Sequence, residues 1–331
     1  MLKPKRGFPC LIALTALTVL CAVLGLCLGS ARLSLLQVLS GLGDRDGSTV
    51  EAQIIWVVRL PHVAACLLAG AGLAVSGVLL QTATGNSLAG PNVIGVNAGA
   101  GFALMLCMCF FPMAYHLQPL AAFIGAFVCT LLIVAVASKA GGARVTIVLS
   151  GVAVSSLLSA GMSLMRMLQP DLSIAYSAFS IGGVSGVAFD ELTVPALLIL
   201  ACLLCAQLAA GRLNLLCLGD AIAHALGVRV KRLRMLALLL ASASAAAAVC
   251  FAGLMGFVGL MVPHIARRLT KGGDVRRLLP ASALLGASLV TLADVLGRVL
   301  AAPSEIPAGV ITAFIGAPFF FSLLTQRRNR L

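Results

Sequence analysis

A chain of 331 residues that is 61% hydrophobic and 10% charged, with a mean hydropathy of +1.11, lies far from soluble domains, where about 25% of residues carry charge. Apolar runs near the roughly 20 residues that cross a bilayer recur along almost the whole length, so the composition predicts an all-α polytopic membrane protein, one domain over residues 1–331. The net charge of +13 does not point to nucleic acid, because Lys and Arg sit in short segments between apolar runs and no basic stripe carries exposed aromatics.

Lys3, Lys5 and Arg6 precede an apolar run from Cys10 to Leu28, which reads as an uncleaved first span with its N-terminus in the cytoplasm. Residues 30–58, with Asp44, Asp46 and Glu51 among glycines, form a first long polar segment outside. Span two covers about 60–82, and Arg59 and His62 stand at its front edge, three residues apart and so on one helical face. An uncharged, turn-rich break over 83–92, carrying Asn86, Leu88 and Pro91, separates it from span three at about 93–112. Spans four and five follow at about 120–137 and 145–167, then an outer segment over 168–191 with a short surface helix.

Span six covers about 192–210, and residues 211–234 make a second long polar segment with Arg212, Arg229, Lys231, Arg232 and Arg234. Span seven is expected at about 235–253. A short segment over 254–266, interrupted by Pro263, stands where an eighth span belongs, and spans nine and ten cover about 279–300 and 308–324. With ten spans and both termini inside, 18 of the 23 Lys and Arg fall on inner segments, the exceptions being Arg32, Arg45, Arg59, Arg166 and Arg298. Seven of the ten acidic residues fall outside; Asp294 is the acid that lies within a span.

Eleven cysteines invite a metal reading, but most lie inside apolar runs. Neither the Cys202/Cys205 nor the Cys107/Cys109 pair has a second pair to complete a four-ligand zinc site, so they read as small buried apolar residues. Gly70 and Gly77, a heptad apart, and the GxxxG of Gly95 and Gly99 suit close helix packing. No phosphate-binding GxxxxGK[ST] pattern, HExxH or GxSxG occurs, so neither nucleotide hydrolysis nor a common hydrolase chemistry is read in this chain. Ion-coupled carriers bury ionisable groups at mid-membrane, and their near-absence disfavours secondary transport. A transport channel of this kind needs energy from another chain.

Residues 211–234 offer a place to receive it. Leu213, Leu215, Leu216 and Leu218 precede Gly219, and Asp220 begins a short helix ending near Leu226, Gly227 and Val228. Two short helices joined at a glycine suit a docking surface for a partner protein, and suit equally an interfacial segment held by anionic lipid.

Three stretches carry a resemblance: RLPHVAACLLAGAGLAVSGVLLQ…GNSLAGPNVIGVNAGA, LNLLCLGDAIAHALGV, and GLMGFVGLMVPHIARRL…LLPASALLGASLVTLADVLGRVLAAPSEIPAGVITAFIGAPFFFSLL. In order, and over essentially the whole chain, they resemble the FecCD family, the permease subunits of type II ABC importers for iron siderophores, haem and vitamin B12. The resemblance implies a BtuC-like fold of ten transmembrane helices in the bacterial inner membrane. It implies a second permease subunit, expected as a homodimer with a heterodimer as the alternative. Two cytoplasmic ATPases carrying ATP and Mg, and a periplasmic or lipid-anchored binding protein, complete the importer, while this chain binds no cofactor of its own. Leu218, Gly219, Asp220, Ala223, Leu226, Gly227 and Val228 match the family's ATPase-coupling helices. Arg59 and Arg298 match outer-rim arginines that dock the binding protein, with His62 standing where the family often has a third arginine. Asn86, Leu88 and Pro91 match the inner gate, and Pro263, His264 and Arg267 match a PHxxR run read as a helix end on the cytoplasmic face. An iron siderophore is the substrate class expected, with haem or cobalamin as the alternative.

Overall fold

A backbone in hydrocarbon must satisfy its own hydrogen bonds, and a chain this apolar does so by coiling into helices. The computed structural model describes residues 7–29, 33–45, 49–139 and 144–328, and among them no strand occurs. Lys3, Lys5, Arg6, Arg32, Asp46 and Arg330 lie outside the described residues.

Helix α1 (Gly7–Cys27) is followed by α2 (Leu35–Gly43), which starts on a capping box in which Ser34 and Gln37 satisfy each other's backbone N–H groups. Then α3 (Val50–Gln53) runs through a π-helical stretch, Ile54–Arg59, into α4 (Leu60–Thr84). Pro61 has no N–H for the usual i−4 bond, which accounts for the wider register just before it. The segment expected as a polar connection over 30–58 therefore carries helix, and Val50–Thr84 reads as one 35-residue apolar stretch.

After α4 come α5 (Val96–Phe110), α6 (Gln118–Lys139) and α7 (Arg144–Leu168). The expected surface helix over 168–191 is α8 (Asp171–Ile181). Then follow α9 (Phe189–Cys217), the short α10 (Asp220–Ala225), α11 (Val230–Ala252), α12 (Val258–Leu269), α13 (Val275–Leu300) and α14 (Ala308–Arg328). Among the described residues, seven stretches are long and apolar enough to cross a membrane, with α5 and residues 308–323 as shorter apolar helices.

Helix α12, at 12 residues, is too short to span alone. The chain before it leaves helical form at Gly253, and its groups are satisfied within the protein: Leu254 N donates to Phe179 O at 2.9 Å, and Gly183 N to Ala252 O at 2.9 Å. Non-helical backbone at this depth needs such internal partners. The interruption expected at Pro263 is thus displaced to 253–257, and Pro263 lies inside α12. Proline leaves the Gly259 carbonyl without its helical donor, and that carbonyl faces Gly77 of α4, where any Cβ would overlap it.

Helix α4 is the axis of the packing, against α13, α11, α12 and α9. Some 78% of its most apolar window is buried, against 17% for α1, which places α4 inside and α1 at the periphery. At the α4–α13 crossing Gly70 and Gly286 face each other so closely that a methyl on either would strike the other's carbonyl oxygen. Here lipid supplies no hydrophobic drive, and close backbone approach does the work.

Candidate functional site

At the front end of α4, Arg59, His62 and Cys66 succeed one another on one face, and α13 brings Asp294 and Arg298 against them. His62 Nε2 and Asp294 Oδ1 are 2.7 Å apart, and Arg298 Nε donates to Asp294 Oδ2 at 2.9 Å. Arg298 also donates from Nη1 to Leu28 O at 3.1 Å and from Nη2 to Gly25 O at 3.2 Å, while Arg59 Nη1 donates to Leu26 O. Two guanidiniums thus take up the carbonyls that α1 leaves unpaired at its C-terminal end, where positive charge also suits the helix dipole. Arg59, His62, Asp294 and Arg298 are all buried residues, none more than 6% exposed.

Arg59, His62 and Arg298 were expected as rim charges open to a docking protein. The structure brings all three together, and it turns them inward onto Asp294 and α1. Asp294, the acid within a span, thus has its partner in His62, 232 residues away. The donor atoms of His62, Cys66 and Asp294 lie within 4.8 Å of one another, a metal-like set. Both Asp294 oxygens already hold partners, however, and a divalent cation would add positive charge beside two guanidiniums. The set is therefore read as a buried ion network, in which Asp294 is held between His62 and Arg298 while Arg59 rests on the Leu26 carbonyl.

At the other end, α4 stops at Gly85 in the left-handed conformation (φ 62°), which ends the helix cleanly. Asn86 Oδ1 accepts from Leu88 N at 3.0 Å, closing an Asx turn, and Pro91 opens a 3-10 turn through Ile94. Asn86 is exposed and Leu88 half-buried, while Pro91 is buried.

The segment after α9 lies beside this end. Gly219 and Gly227 adopt φ 99° and 78°, open to glycine and strained for other residues, and they bracket α10. Leu218, Ile222 and Leu226 are 54%, 53% and 58% exposed, whereas Ala223 is buried. Asp220 at the start of α10 is held by Arg234 of α11, whose Nη2 donates to both carboxylate oxygens at 2.7 Å. The same guanidinium donates from Nε to Ala83 O, in the last turn of α4, at 3.0 Å. Arg234 was read only as one of several basic residues in 211–234. Its signal was its position within the buried face of an apolar helix, where an arginine needs a partner.

Of the PHxxR run, His264 sets its ring edge-on to Phe319 at 5.9 Å, and α12 ends two residues after Arg267. Further along, Asp274 caps α13, accepting from Arg276 N at 3.0 Å and from Asn214 Nδ2 at 2.7 Å. The Asn214 bond chiefly holds its carboxyl below the ordinary value, with the Arg276 N–H and nearby arginines adding to the effect against a burial penalty.

The FecCD transport family matches residues 17–326 of this sequence. The chain belongs to that family. It is 38% identical over 325 residues to the Fe(3+)-citrate import system permease protein YfmE of Bacillus subtilis (strain 168), covering 97% of this chain and 96% of that one. It is 36% identical over 316 residues to the hemin transport system permease protein HmuU of Yersinia pestis, covering 92% and 93%. A solved inward-facing structure, assigned to a metal-chelate type ABC transporter, superposes with a TM-score of 0.83 at 32% identity, covering 96% of this chain and 98% of that one. The FecCD chain is thus a membrane-embedded permease subunit of an ABC importer, and the ATPase of such a system is a separate chain.

Proposed function

We propose that this permease carries an iron-siderophore-type ferric chelate across the bacterial cytoplasmic membrane, by alternating access, on ATP hydrolysed with Mg by two partner subunits. The chain itself holds no cofactor. The full set of ten spans, with both termini in the cytoplasm, is part of the reading. So are a second permease subunit, most simply an identical one, and a periplasmic or lipid-anchored binding protein. Haem is the second reading, supported by the likeness to a hemin permease; cobalamin would use the same architecture.

The observation that carries the proposal is the set Leu218, Ile222 and Leu226: three large apolar side chains exposed on α10 and at the residues flanking it, where Gly219 and Gly227 set the short helix off from its neighbours. Leaving them bare in the cytoplasm is unfavourable, and a cleft in a partner ATPase would cover them. Leu218 to Val228 thus form the coupling element, and Asn86, Leu88 and Pro91 the inner gate. Arg59, His62 and Arg298 act at the outer face by fixing the ends of α1, α4 and α13 that the binding protein would contact.

The test is reconstitution in proteoliposomes with the ATPase subunits and the binding protein, offering radioiron-labelled ferric citrate, a ferric hydroxamate and haemin in parallel. ATP-dependent uptake of a ferric chelate is expected, and uptake without the ATPase subunits would replace the reading with secondary transport. Leu226→Glu should weaken co-purification of the ATPase at least about ten-fold, as loss of an interface anchor does. Unchanged ATPase binding in that variant would remove the coupling assignment.

A further inference from the structure

We infer that Arg234 is the strut joining ATPase docking to the inner gate, a positioning residue that links α10 to the last turn of α4. The inference rests on the reading of Leu218–Val228 as the ATPase contact, and it deepens that reading.

The guanidinium is planar and rigid, so a group held at one edge is fixed relative to a group held at the other. Its Nη2 grips both oxygens of Asp220 at 2.7 Å, and its Nε reaches Ala83 O at 3.0 Å. Ala83 lies three residues before Asn86, and its carbonyl belongs to the last turn of α4, where the helix no longer supplies a donor. Simple neutralisation of Asp220 would not need this arrangement. Its side chain is 49% exposed and water can solvate it, whereas Arg234 is 9% exposed and is held in the protein. The buried partner of the pair is therefore the one that spans the two elements.

The rest of the local geometry suits a transmitted movement. Gly219 and Gly227, at φ 99° and 78°, set α10 off from α9 and α11 as a separate short element. Ala223 is fully buried, which seats that element against the protein. Movement of α10 under an ATPase would pull on Asp220, and short charge-assisted bonds would carry the pull through Arg234 to Ala83. The gate turn follows directly, through the Asn86 N–H to Thr84 Oγ1 bond at 3.3 Å and the Asx turn at Leu88. Lysine could keep one of these contacts as a point charge but not both edges.

Coupling of this kind has to be measured at both sites. The full chain with its ATPase subunits in nanodiscs is exposed to Mg–ATP and vanadate, and amide hydrogen exchange is followed over 218–228 and 84–92. In the wild type both segments should change on ATP binding. In Arg234→Gln and Arg234→Lys the response at 218–228 should persist, while that at 84–92 falls by about five-fold or more. A wild-type-sized response at 84–92 in Arg234→Lys would overturn the strut, as would a wild type whose 84–92 segment ignores ATP. Failure of the wild type to bind ATPase subunits at all would instead overturn the proposed function. If Arg234→Gln fails to fold, Arg234→Lys, which keeps the charge, carries the same test.

Discussion

Asp294 illustrates how much a single buried charge is asked to do. It faces His62 on one side and Arg298 on the other, and Arg298 in turn holds the end of α1. Asp294→Asn should strip Arg298 of its counter-charge and destabilise the protein by about 3 kcal/mol, since breaking a buried pair leaves an uncompensated ion. SDS-induced unfolding would measure this, and adding Arg298→Met should recover part of the loss. The same network changes how the rim charges must be probed: charge reversal at Arg59 or Arg298 disturbs the fold before it reports on docking. Asp274 makes a prediction of another kind. Its folded carboxyl is held below the ordinary value, so its contribution is complete above the ordinary carboxylate range of about 4 and is lost as pH falls through the depressed value. Hydrogen exchange at the start of α13 should quicken across that acid window, and Asp274→Asn should show no such step.

Among the elements, α4 has the least freedom. Its glycines are placed where other backbones arrive, Gly70 against Gly286 and Gly77 against Gly259. Gly70→Val should push α4 and α13 apart at a cost of about 2 kcal/mol or more, read as a lower unfolding midpoint. Gly43→Ala, at the end of α2 with open space around it, should leave the midpoint unchanged. Helix α10 behaves in the opposite sense. It is short, and Ile222 within it and Leu218 and Leu226 beside it stand exposed. The sequence pattern there suits lipid and protein docking alike, and Leu226→Glu separates the two.

For the whole molecule, the distribution of charge sets a testable orientation. The basic segments around 211–234 and 267–277 belong on the cytoplasmic side under the positive-inside rule. A green fluorescent protein fused after Leu331 should therefore fluoresce, and alkaline phosphatase at the same place should be inactive; the reverse pair of results would invert the topology. Helix content, the apolar spans and the likeness to FecCD permeases were legible in the residues. These follow from local composition and spacing, which a linear sequence records directly. The span edges were less so, because helices such as α9 and α11 start before or run past the apolar runs, where hydropathy falls but backbone hydrogen bonding continues. The meeting of His62 with Asp294, the inward turn of Arg59 and Arg298, the break at Gly253 and the reach of Arg234 to Ala83 were decided only by the tertiary structure. Each joins groups from separate helices, and the burial that makes a charge choose a partner exists only once those helices have packed.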